Sequence, residues 1–186
     1  LANYQTEFIK WKKSQGFEVY VAYKSDIGNT VNDFKQFIQN HYNQYHCDHL
    51  LLLGDVTNQG TYSIPTAFFP SPEYQENDAD DNQYTFIEGN DYFPEMLVGR
   101  FSFNDIAEFM SMVNKSVSYE KTPYMSNTSW MTRGLAVAGN YAEGGLRPTT
   151  PIEMSRWLRD KMLNFGYTAV DTVFYPPTYP GTSNII

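Results

Sequence analysis

The sequence has one cysteine, Cys47, so no disulfide can form within the chain and stability must come from packing and hydrogen bonds. It has no apolar stretch near the length of a membrane-spanning helix, and no signal-peptide succession of charged, apolar and small residues. Basic residues are scarce: 13 Lys and Arg stand against 21 Asp and Glu, and the longest basic run is Lys12-Lys13. A nucleic-acid binder needs a basic face to displace counterions, and the net charge of −8 argues against one. The Gly-x-Ser-x-Gly elbow, the P-loop and the dinucleotide-binding fingerprint are also missing. The glycine-rich stretch 139–145 lacks the glycine spacing and the immediate helix that phosphate cradling requires, and reads as a surface loop.

What is present is an ordinary globular balance, 41% hydrophobic and 18% charged, in a chain long enough for one domain or for one domain and the start of a second. Tyr4, Phe8, Ile9 and Trp11 predict a helix over 3–15, stopped by Gly16. Residues 17–23 alternate and carry β-branched side chains, which predicts a strand. Asn29 or Thr30 caps a helix over 30–44. The apolar run at 49–53 suits a strand buried on both faces, as in a parallel sheet. Residues 56–81 read as loop, with Pro65, Pro70 and Pro72. Residues 83–88 and 95–98 flank Gly89-Asn90-Asp91 as a hairpin or as two neighbouring strands. Asn104 caps a helix over 104–120. Residues 122–127 are the best linker, which places the domain boundary at 125/126; beyond it come a strand at 135–138, a Gly/Pro loop at 140–149, a helix at 152–165 and a strand at 169–175. The alternation predicts an α/β fold, an open and mostly parallel sheet flanked by helices, with the start of a second α/β subdomain.

Several side chains carry candidate chemistry. Asp55 follows the most apolar strand, at the edge where open α/β sheets collect ligands. Asp91 and Glu95 share a face if their segment is extended, and the Phe93 carbonyl lies between them. Such oxygen-only donors suit Ca²⁺; capping carboxylates in a turn are the plain alternative. The acidic group Glu73, Glu76, Asp78, Asp80 and Asp81 is a solvated loop or a second cation site. His41, His46, Cys47 and His49 match no zinc-finger spacing, and adjacent residues entering a strand point apart, which argues against a His46–Cys47 dyad.

Leu50-Leu-Leu-Leu-Gly-Asp-Val56, Asp81-Asn-Gln-Tyr84, Gly89-Asn-Asp-Tyr-Phe-Pro-Glu-Met-Leu-Val-Gly-Arg-Phe-Ser102 and Tyr119-Glu-Lys121 together resemble the gingipain-type cysteine peptidases, and so do the Lys12-to-Phe17 and Phe165-to-Thr168 helix ends. The resemblance implies a caspase-like catalytic domain of two α/β subdomains in a secreted or cell-surface bacterial peptidase that acts on peptide or protein substrates. It implies a catalytic His in a Gly-His-Gly motif and a later catalytic Cys, and neither motif occurs in this sequence. The chain therefore looks like a first subdomain, 1–125, and the start of the catalytic one, 126–186, which would complete the domain as its partner. A structural calcium is implied at positions matching Asp55, Asp91, Phe93 and Glu95, with a further family ligand replaced near Gly89 or Asn90. Arginine preference does not carry over, because the matching stretch is Thr149-Thr150-Pro151. The alternative is an inactive gingipain-like binding or type IX secretion module.

Overall fold

The computed structural model describes residues 2–56, 60–70, 77–139, 150–174 and 184–185. Its contacts divide the chain into two compact units, Leu1–Lys121 and Thr122–Ile186.

The first unit holds helices α1 (Ala2–Ser14), α2 (Lys24–Ile27), α3 (Val31–Tyr45) and α4 (Ile106–Lys121), strands β1 (His49–Leu53), β2 (Ala67–Pro70), β3 (Asn77–Asp80) and β4 (Leu97–Phe101), and a 3-10 helix at Asp81–Tyr84. α3 begins where Thr30 and Asp33 exchange side-chain-to-backbone bonds, a capping box that satisfies two orphan donors. It ends at His46, in the left-handed region, whose N–H bonds Tyr42 O at 2.7 Å.

β1 and β4 pair in parallel, His49 opposite Leu97 and Leu53 opposite Phe101. Side chains alternate across a strand, so successive leucines of β1 enter different cores. Leu52 joins Phe34, Ile38, Tyr84 and Met96 under α3, whereas Leu53 packs with Phe8 and Phe101 against Phe103, Phe109 and Val113. α1 and α4 are tied by Glu120, which accepts from Trp11 Nε1 at 2.6 Å and from Lys12 Nζ at 2.7 Å. The Lys12 and Trp11 bonds hold the Glu120 carboxyl below its usual range.

The second unit contains a 3-10 helix (Ser129–Thr132), β5 (Arg133–Ala138), α5 (Pro151–Phe165), β6 (Ala169–Phe174) and β7 (Asn184–Ile185). β5 and β6 are parallel and β7 runs antiparallel to β6. α5 repeats the capping box with Thr150 and Glu153, has Pro151 in its first turn, and closes at Gly166.

The expected helices and the strands at 49–53, 135–138 and 169–174 are present, in the α/β order the sequence predicts. Three local expectations are corrected. Residues 17–23 form no strand and pair with none among the described residues. Residues 83–88 and 95–98 form no hairpin, because Tyr84 turns into the core on the 3-10 helix and the strand after Glu95 pairs with β1 instead. The loop-rich stretch 56–81 contains the antiparallel pair β2–β3. The expected loop at 140–149 lies outside the described residues.

Candidate functional site at the two ends of the parallel strand pair

Two loops leave the C-terminal edge of β1 and β4. Gly54 turns the chain at φ 147°, and a Cβ there would sit 2.1 Å from the Tyr62 carbonyl oxygen, so the close approach of loop and strand end needs glycine. Asp55 follows; its backbone joins the returning chain through Tyr62 O at 3.0 Å and Ile64 N at 2.8 Å. Its carboxylate accepts a 2.5 Å bond from Ser102 Oγ, one residue beyond β4. A carboxylate and a hydroxyl thus meet at the sheet edge where ligands collect in α/β folds.

Beside them lies Arg100, on β4. Its Nε and Nη2 donate to the two Asp81 oxygens at 2.8 and 2.7 Å, and its remaining N–H groups reach the carbonyls of Gly54, Ile64 and Pro65. Thr66 Oγ1 donates to Asp81 at 2.7 Å. Burial opposes the Asp81 charge, but the Arg100 and Thr66 bonds outweigh it and hold the carboxyl below its usual range. Nearby, Tyr84 donates to Pro65 O at 2.7 Å, and burial pushes its phenol up to about 12. Sequence reasoning gave Arg100 and Ser102 no role. A lone arginine in the apolar strand at 97–101 is the signal that could have found the first, because a buried guanidinium requires partners.

The strand register separates two of the four expected calcium donors, Asp55 and Glu95. Parallel pairing puts Asp55 past the C-terminal end of β1 and puts Asp91, Phe93 and Glu95 before the N-terminal start of β4. The five-residue strand between them spans roughly 13 Å at about 3.3 Å per residue, whereas calcium ligands lie about 2.3–2.6 Å from the ion. Asp55 and Glu95 therefore cannot share one coordination sphere. Asp91 Oδ1 accepts from Phe93 N at 2.9 Å, and Glu95 Oε2 accepts from Ile87 N at 2.6 Å. Among the described residues, no group of three or more His, Cys, Asp or Glu converges as a metal cage.

The other candidates also have structural partners. Asp80 accepts from Asn82 N and Gln83 Nε2, capping the 3-10 helix, and Asp81 is held by Arg100; Glu73 and Glu76 lie outside the described residues. His41 packs among Tyr20, Phe37 and Tyr45, His46 against Tyr42, and His49 against Phe17. The Cys47 thiol lies 3.5 Å from Met96 Sδ, and burial pushes it up, away from the thiolate a nucleophile requires.

Comparison with known proteins gives a consistent result. Gingipain R2 of Porphyromonas gingivalis is 26% identical over 97% of this chain, and the match spans 23% of that protein's length. Lys-gingipain of the same organism is 27% identical over 71% of this chain. Among solved structures, the complex of the Porphyromonas gingivalis RgpB pro- and mature domains superposes with a TM-score of 0.72 and 25% identity, covering 91% of this chain and 38% of that one. The Arg-specific cysteine proteinase gingipain R shows the same fold, also at 0.72. The model of peptidase family C25 matches residues 1–183, and the chain belongs to that family.

Proposed function

We propose that these residues are the scaffold part of a secreted gingipain-like cysteine endopeptidase, and that they do not hydrolyse peptides by themselves. Acyl transfer by a cysteine peptidase needs a thiolate and a histidine base within hydrogen-bond reach. Cys47 is the one cysteine of the chain, and its half-buried thiol is directed to Met96 Sδ at 3.5 Å, where burial disfavours the thiolate; this observation carries the proposal. The length comparison supports it, since the chain spans under a quarter of Gingipain R2. So does the outer face of β5, where Leu135 and Val137 are 61% and 65% exposed although strands of parallel sheets are ordinarily covered on both faces. In the longer enzyme the remainder of the catalytic domain would supply nucleophile and base, and the substrate would be a peptide or protein.

The calcium reading is narrowed to the loop before β4. Asp91, Glu95 and the Phe93 carbonyl are oxygen donors within five residues, which suits a hard cation with flexible geometry, and water would complete the shell. Asp55 lies at the opposite end of the strand pair from Glu95 and is left out of this proposal.

The test is turnover of a mixed set of fluorogenic peptides by the purified chain. Background rates are expected. Turnover that disappears in Cys47→Ala would overturn the proposal.

A further inference from the structure

We draw no further inference here: the strongest candidate, the exposed apolar stripe of Met154, Trp157, Leu158 and Phe165 along helix α5 of the second unit, is an unpartnered face, and nothing among the described residues shows what covers it.

Discussion

The guanidinium of Arg100 and the carboxylate of Asp81 face each other in a two-pronged ion pair at 2.7 and 2.8 Å, with the arginine side chain only 9% exposed. Because Arg100 also holds three carbonyls of the loop after β1, one side chain joins β4, that loop and the 3-10 helix. Removing one partner of such a pair leaves an uncompensated charge, which costs about 3–5 kcal/mol. Arg100→Met should lower stability to urea by that order, and Arg100→Lys, which cannot reproduce the fork, should recover only part. A loss under 1 kcal/mol in Arg100→Met would show that the pair contributes little.

The same pair sets a pH dependence. The folded Asp81 carboxyl titrates below its unfolded value, so its contribution is present above about pH 4 and is lost as pH falls through the folded value. The stability gap between wild type and Asp81→Asn should therefore be widest near neutrality and shrink in acid. Denaturation curves at a series of pH values measure it; a gap that grows as pH falls would reverse the sign argued here.

Among the described residues each unit shows a capping box, so each can be weakened separately. Thr30→Ala should destabilise the first unit, and Thr150→Ala the second, by about 1 kcal/mol each. Hydrogen exchange in α3 and α5 reads them independently: each substitution should speed exchange in its own helix and leave the other alone.

Calcium separates the two ends of β1 and β4. In chelator against millimolar calcium, the melting temperature should rise with the ion for wild type and for Asp55→Ala, but not for Asp91→Ala. Equal shifts in all three would place the ion elsewhere. A shift abolished by Asp55→Ala would contradict the strand register.

Gly54 is where loop and strand approach most closely. Gly54→Ala brings a methyl group against the Tyr62 backbone at positive φ and should cost on the order of 2 kcal/mol, visible in the same urea series.

Much of this was legible locally. Thr30 with Asp33, and Thr150 with Glu153, announce helix starts within four residues, and the four leucines at 50–53 announce a strand covered on both faces. What failed was long-range. The alternation at 17–23 states what the segment is suited to, not whether a partner edge is in reach. Gly89-Asn90 suggested a hairpin because sequence does not show that Tyr84 leaves for the core. Strand direction, which sets Asp55 and Glu95 at opposite ends of the strand pair, is likewise not written in spacing. Arg100 was read only as part of a motif, since its five hydrogen bonds go to four residues, Gly54, Ile64, Pro65 and Asp81, distant from it along the chain.

The partial burial of Cys47 has a practical consequence for spectroscopy. A chain with one cysteine ordinarily needs that residue replaced before a probe can be attached elsewhere. Here the half-buried thiol lies 3.5 Å from Met96 Sδ and burial pushes its ionisation up, so it should react with maleimide reagents more slowly than an exposed cysteine. A cysteine introduced at an exposed position such as Tyr92 or Tyr124 would take the label faster, with the natural sequence as the reference for the slower reaction of Cys47.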